Sequence, residues 1–360
     1  MSKKSTTNDI KCYDSNSQIT LNHAQETPMK LVSTSITLIA MALSAFPVQA
    51  QSTHIPHDIH YYVAAEEVEW NYAPTGKNNI KPGMGLGDWG EQLIYSKVRY
   101  IEYTDQTFSK KKPQDPHLGI LGPTLRATVG DTLKIHFKNS ASKPYSIHPH
   151  GVFYTKENEG ADYAGQSSTG GAVPPGESYT YTWEVPETAG PGPNDGSSIV
   201  WLYHSHVNSV PDMYQGLLGT MIITAKDKAN PDDTPIDIDR EFINLFMVFN
   251  ENGEDEDEEG HLMHAINGRI FGNLEGLTMR KGERVRWHLI GMGTEVDLHT
   301  PHWHGETVLH HGHRKDVVDL LPGTMTSADM RATNPGTWLY HCHVTDHITA
   351  GMIATYRITD

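Results

Sequence analysis

Cysteine is almost missing from this chain. Cys12 and Cys342 are the only two in 360 residues. Two residues so placed offer no disulfide framework. A thiol kept where others are absent points to chemistry rather than cross-linking. Basic charge is also scarce. Lys and Arg number 28 against 44 Asp and Glu, a net charge of −16. This argues against nucleic acid as a partner and suits neutral or cationic ones. Long apolar runs are lacking too. The one candidate, Leu31 to Phe46, is too short for a membrane anchor. It follows Met29-Lys30 and precedes Val48-Gln49-Ala50, a signal-peptide pattern with a small-x-small cleavage site before Gln51. The expectation is an exported protein, periplasmic or extracellular, with no membrane span once the leader is removed. Residues 1–28 are polar, carry Cys12 and read as an extension upstream of a natural start at Met29.

Histidine is plentiful, at 22 residues, and so are Gly at 32 and Pro at 21. Helix-like periodicity is rare. Segments such as Gly130 to Asn139 and Tyr179 to Val185 alternate with period two instead, separated by turns such as Pro174-Pro175-Gly176. The pattern then recurs. Lys281 to Ile290 matches the Gly130 strand, Pro322-Gly323 matches the Pro175 turn, and the polar stretch Asp227 to Asp239 divides the copies. Short strands at regular spacing predict an all-β fold, a Greek-key β-sandwich present twice. The expected boundaries are 1–50 for extension and leader, 51–228 for the first domain and 236–360 for the second.

The duplication is sharpest in two strings, Trp201-Leu-Tyr-His-Ser-His-Val207 and Trp338-Leu-Tyr-His-Cys-His-Val344. They differ only at Ser205 and Cys342. Four His-x-His pairs occur: His148/His150, His204/His206, His302/His304 and His341/His343. On an extended strand, residues two apart share a face, so each pair can aim two imidazoles at one point. Imidazole suits copper. Cys342 must point to the opposite face from its flanking histidines. With His299, His347 and Met352 it makes a two-His, one-thiolate set with a weak axial thioether, which is what a blue copper centre needs.

These motifs resemble those of multicopper oxidases. The four family motifs read His148-Pro-His150-Gly151, His204-Ser-His206, His299-Thr-Pro-His302-Trp-His304-Gly305, and His341-Cys-His343 followed by His347 and Met352. The resemblance implies two cupredoxin-like domains and four coppers per chain. His299, Cys342, His347 and Met352 would hold the type 1 copper. His148 and His302 would hold type 2. His150, His204, His206, His304, His341 and His343 would hold the type 3 pair. Ser205, Val210 and Gln215 replace the type 1 ligands in the first copy, so one blue site is expected, in the second domain. Two-domain oxidases of this kind form a head-to-tail homotrimer with interfacial trinuclear clusters, which is the expected assembly. The implied reaction is one-electron oxidation of a small donor coupled to four-electron reduction of O2 to water. Glu159 and Asp162, just after the first motif, are candidates for proton delivery.

The donor stays open in the sequence. Met263 to Met279 and His341 to His347 resemble ceruloplasmin and hephaestin, which implies a possible iron site at Glu259, His264 and Asp346. Phenolic, laccase-like donors need only an open approach to His299 or His347. Two other classes remain as alternatives. A copper nitrite reductase would carry its blue copper in the first domain and would not need eight cluster histidines. A non-enzymatic copper-binding protein would not need the Cys342 bridge between sites.

Overall fold

The computed structural model describes residues 54–252 and 258–360. The leader pattern, Cys12, and residues 253–257 of the acidic run lie outside them. The first half contains β1 (Asp58–Asn71), β2 (Ile94–Tyr103), β3 (Thr124–Thr128), β4 (Thr132–Asn139), β5 (His148–Pro149), β6 (Ser178–Glu184), β7 (Ser198–His204) and β8 (Leu218–Thr224). The second contains β9 (Arg240–Asn250), β10 (Leu262–Ile266), β11 (Thr278–Arg280), β12 (Arg284–Gly291), β13 (Pro301–Trp303), β14 (Val308–His310), β15 (His313–Lys315), β16 (Thr324–Arg331), β17 (Gly336–Cys342) and β18 (Ile353–Thr359).

These strands form four sheets, two per sandwich. The orders are β2-β1-β4-β6 and β3-β8-β7-β5 in the first, then β10-β9-β12-β16-β14-β15 and β11-β18-β17-β13 in the second. Each sandwich mixes antiparallel hairpins with parallel pairs, β1 with β4 and β3 with β8, then β9 with β12 and β11 with β18. Strands adjacent in a sheet but distant in sequence are the mark of Greek-key crossovers. The expected all-β, cupredoxin-like architecture is what the chain adopts.

Period-two alternation decides where each side chain goes. Leu133, Ile135 and Phe137 of β4 enter the first sandwich's core. Lys134, His136 and Lys138 take the other face. β9 obeys the same rule with both faces apolar, as a strand covered on both sides must be. Phe242, Phe246 and Val248 face the second core. Ile243, Leu245, Met247 and Phe249 face outward into a third apolar cluster, which also takes Val200, Leu202, Leu218 and Ile222 from β7 and β8. That cluster joins the two sandwiches. Burial of each such side chain contributes about 1.5–3 kcal/mol.

One polar device crosses the same seam. Glu241 on β9 pairs with Arg126 of β3 at 2.6 Å and accepts from His288 Nε2 at 2.9 Å. Ser327 sits 2.8 Å from His288 Nδ1. Burial alone would raise the Glu241 carboxyl, but the His288 hydrogen bond and Arg126 override it and hold it at about 2, against an ordinary 4.5. A carboxylate whose folded pKa is depressed stabilises the fold above its ordinary value and loses that contribution as pH falls through the folded one. Glu241 should therefore support the seam fully above 4.5 and lose its contribution as pH falls towards 2. Glu241→Gln should cost about 3 kcal/mol by leaving Arg126 without its partner. Unfolding midpoints followed from pH 7 to pH 2 check this, and the gap between wild type and variant should close at the acid end.

Candidate metal centre

The two His-x-His strands in each sandwich are cross-strand neighbours. His148 pairs with His204, and His302 with His341. Directly opposed positions on one sheet face bring side chains together, so each sandwich gathers a quartet. In the first, the ring centroids of His148, His150, His204 and His206 lie 5.1–5.8 Å apart in the recorded contacts. In the second, those of His302, His304, His341 and His343 lie 4.8–5.6 Å apart. Among the described residues no ring of one quartet rests against a ring of the other.

Backbone carbonyls fix the ring orientations. His148 Nδ1 sits 2.7 Å from Glu159 O, His204 Nδ1 2.8 Å from Ser205 O, His302 Nδ1 2.9 Å from Asp316 O and His341 Nδ1 2.7 Å from Cys342 O. A carbonyl only accepts, so each Nδ1 carries the proton and each Nε2 keeps its lone pair. This is the tautomer lock used by metal-binding imidazoles. The freed nitrogens converge. His150 and His204 Nε2 are 3.2 Å apart, and His304 and His341 Nε2 are 3.0 Å apart. His206 Nδ1 is buried and has no hydrogen-bond partner among the described residues. Burial, then neighbouring rings, lowers His150 to about 4. Burial likewise brings His204 to about 4. Neutral, converging imidazoles are what copper requires.

Two glycines allow this. Gly151 and Gly305 follow the His-x-His pairs at φ of 76° and 74°. A Cβ would meet Trp201 at 2.2 Å and Trp338 at 2.7 Å. The left-handed turn and the indole behind it need glycine at both positions.

Cys342 turns the other way, as alternation predicted. It is fully buried in the second core, together with Met352. Its Sγ lies 3.9 Å from His299 Nδ1 and 3.5 Å from His347 Nδ1, and those nitrogens are 3.2 Å apart. Met352 comes to this place through β17–β18 pairing, with Cys342 N donating to Met352 O at 3.1 Å. Burial pushes the Cys342 thiol up and brings His347 down to about 4. A thiolate in such a place calls for a cation, and two imidazoles stand ready beside it. The donor set fits copper.

Asp297 was not anticipated from sequence. Its carboxylate is fully buried and lies 3.2 Å from His299 Nε2, with Val248 N and Thr294 N donating to it. That contact leaves His299 Nδ1 facing the sulfur. Among the described residues, the first sandwich has no such centre. Ser205 donates to Asp212 at 2.6 Å, so Asp212, rather than Val210 or Gln215, is the side chain that meets Ser205. Its only sequence signal was an acid in the segment that replaces His347.

The remaining candidates scatter. His264 on β10 lies 5.1 Å, ring to ring, from His347, and its Nδ1 is bound to Leu262 O at 2.9 Å. Burial lowers it, while Glu259, Asp346 and Asp297 act in the opposite sense. Glu259 and Asp346 are exposed. Among the described residues, the three do not form a group with all ligand atoms within 4.8 Å, as three members of each copper set do. Glu159 serves His148 through its backbone carbonyl, and its carboxylate pairs with Lys156 at 2.8 Å. Asp162 is exposed and accepts from Ser168 N at 3.0 Å.

Comparison with known proteins agrees with this geometry. Family models described as multicopper oxidase match residues 117–228 and 244–360. Mouse hephaestin is 42% identical over 83% of this chain. The chain belongs to the multicopper oxidase family. Human ceruloplasmin is 43% identical, and human ferroxidase HEPHL1 is 40% identical, each over 83% of this chain. This multicopper oxidase spans under a third of those relatives, 28% of mouse hephaestin and 30% of human ceruloplasmin. Two solved multicopper oxidases share the fold at 22% identity, with TM-scores of 0.57 and 0.59. The first aligns over 84% of this chain and 88% of its own, the second, mgLAC, over 84% and 86%. Copper is the family's cofactor.

Cys342→Ser should abolish the thiolate-to-copper absorption while both histidine quartets still bind copper; persistent blue colour would overturn the assignment. Asp297→Asn, which keeps the side chain's shape, should weaken copper at that site by about 10–100-fold. Chelator competition followed at the blue band measures it.

Proposed function

We propose that the chain is an exported ferroxidase, oxidising ferrous iron at the Cys342 centre and passing electrons to O2 at the histidine quartets. Four ferrous ions, one O2 and four protons give four ferric ions and two waters. The observation that carries the choice of donor is the burial of the blue-site imidazoles. His299 is 1% exposed and His347 3%. A phenol needs an open imidazole edge, and neither offers one. His264 instead lies against His347, the rings tilted by 54° at 5.1 Å, with Trp89 edge-on to His264 at 6.2 Å. Trp89 Nε1 donates to Leu262 O at 3.0 Å, the same carbonyl that holds His264. The charges of Glu259 and Asp346 act on His264. Oxygen donors with one imidazole suit a ferrous ion and hold the ferric product more tightly, which favours its oxidation. A relative named as a ferroxidase supports the same reading.

His299, Cys342, His347 and Met352 would hold a type 1 copper, His148 and His302 a type 2, and the other six quartet histidines a type 3 pair, four coppers per chain. Bound copper supplies one-electron acceptance at the thiolate and O2 reduction among the imidazoles. The chain supplies the route. Cys342 is bonded through its backbone to His341 and His343, so thiolate and quartet are joined covalently. Backbone carbonyls hold the Nδ1 atoms of His148, His204, His302 and His341, and Glu159 and Asp162 are the acids that would hand on protons. Residues 51–228 and 236–360 are the two cupredoxin domains. The quartets are partly exposed on separate sandwiches, which supports a head-to-tail homotrimer in which each meets a neighbour's. The leader pattern supports a periplasmic or extracellular location.

Steady-state O2 uptake by the copper-loaded protein, with ferrous iron and a methoxyphenol in parallel, tests the donor. Iron should be strongly preferred. Asp346→Ala should raise KM for iron on the order of 10-fold, with blue absorption and phenol turnover unchanged. Preference for the phenol would make this a laccase and overturn the reading.

A further inference from the structure

One histidine cluster takes no part in the centres above. It lies where the chain approaches β1. His54 Nε2 is 2.6 Å from Asp131 Oδ1, and His57 Nδ1 is 3.2 Å from the same oxygen. The three ligand atoms all lie within 4.8 Å of one another. Asp131 directly precedes β4, after a tight turn, and its carboxylate is fully buried. Thr128 N donates to its Oδ2 at 2.8 Å and His57 N to its Oδ1 at 3.0 Å. The carboxylate is therefore held rigidly, and one oxygen is presented to two imidazoles. Thr128 also reaches a second acid, donating from Oγ1 to Asp233 at 2.7 Å. Asp233 is buried at 7% exposure, and its carboxyl feels the charges of Asp131, His57 and His54.

We propose that His54, His57 and Asp131 form a further metal site that takes a divalent cation of the zinc and copper class. The chemistry is in the donors. Two imidazoles and one carboxylate are a borderline set, better matched to zinc or copper(II) than to calcium or magnesium, which prefer oxygen. Metal-to-ligand bonds of about 2.0–2.2 Å put tetrahedral ligands about 3.3 Å apart. The His57 contact already has that spacing, and the His54 contact needs to open by less than an ångström. Each neutral imidazole can present its ligating nitrogen by carrying its proton on the other one. A buried carboxylate without a full cationic partner is costly, and a bound dication removes that cost. His57 is half exposed, which leaves a path for the ion and room for water as the fourth ligand.

The site has a structural consequence. His54 and His57 belong to the segment leading into β1, and Asp131 to the turn between β3 and β4. That contact is already tight at Gly130, where an added Cβ would meet Pro56 at 3.1 Å. A cation there fastens the start of the chain's first strand to the first sandwich. Binding to the folded state alone raises stability by mass action.

The test uses the copper-loaded full chain and Zn2+ alone as probe. Metal analysis after equilibrium dialysis should find one Zn2+ per chain beyond the copper, and thermal unfolding should shift upward with Zn2+. His57→Ala, a half-exposed position, should lose that ion or weaken it more than 10-fold and lose the thermal shift, with copper content and blue absorption unchanged. Asp131→Asn should do the same. A wild-type copper count one higher than that of His57→Ala would support the site equally, with copper as occupant. Equal Zn2+ uptake and equal copper in wild type and His57→Ala, or no uptake by either beyond the copper centres, would overturn the proposal and leave these residues as a hydrogen-bonded staple.

Discussion

The register of β17 is the constraint on which the rest of this molecule depends. His341 and Cys342 end β17 and His343 follows in extended continuation, so two imidazoles face one way and a thiol the other. A slip of one residue would exchange these faces and send the sulfur into the quartet. The register is held from both sides. His302 lies opposite His341 and Pro301 opposite Cys342 on β13, while β18 sets Ile353 against His341. Packing reinforces it, because Cys342 sits in the core with Trp287, Trp303 and Tyr340. The hydrophobic effect thus places a polar centre. Only one phase of the strand buries these side chains, and that phase puts the thiol beside His299 and His347.

The two sandwiches show how little must change to make or unmake such a centre. Ser146 N meets Ser205 Oγ at 3.3 Å, and Thr300 N meets Cys342 Sγ at 3.3 Å. His206 N donates to Ser146 Oγ, and His343 N to Thr300 Oγ1, at 3.0 and 3.1 Å. The backbone frame is the same to within its hydrogen bonds. What differs is the helix that follows. In the second copy, Thr345–Thr349 delivers His347 to the sulfur. In the first, Ser209–Gln215 delivers Asp212 to the serine. A hydroxyl donating to a carboxylate satisfies the buried polar atoms there without an ion.

Strand-borne features were legible in the sequence. The quartets, the opposed thiol and the double sandwich all follow from period two, because their residues lie on strands or directly continue them, and alternation assigns the faces. Features carried by loops were not. Asp297 precedes His299 in an irregular segment, and nothing local says that its carboxylate turns back to the ring. Trp89 reaches His264 from a turn between β1 and β2, far away in the chain. The apolar seam between sandwiches was hidden for another reason. Ile243, Leu245, Met247 and Phe249 interleave with the residues of the second core, and a continuous apolar run does not state what covers each face. The acids of the iron reading illustrate the same limit. Sequence gave three residue identities, but how closely exposed carboxylates approach His264 depends on short loops.

The difference in enclosure between the two kinds of site bears on their division of labour. The thiolate centre is sealed. His299, Cys342, His347 and Met352 are all at or below 3% exposure. A sealed centre keeps water from its sulfur and exchanges only electrons, so its donor has to act through the protein. On the proposed reading, His264, which lies against His347 at 5.1 Å between ring centroids, carries that transfer. The quartets are the reverse. His148, His150, His302 and His304 remain partly exposed, and His343 is open to solvent. A site that takes in O2 and protons and releases water cannot be sealed at every stage. Half-open quartets can still be enclosed by apposition of two surfaces, each bringing its own imidazoles. On the proposed reading, the register of one strand links these two environments: the closed face takes electrons from outside, and the open face spends them on O2.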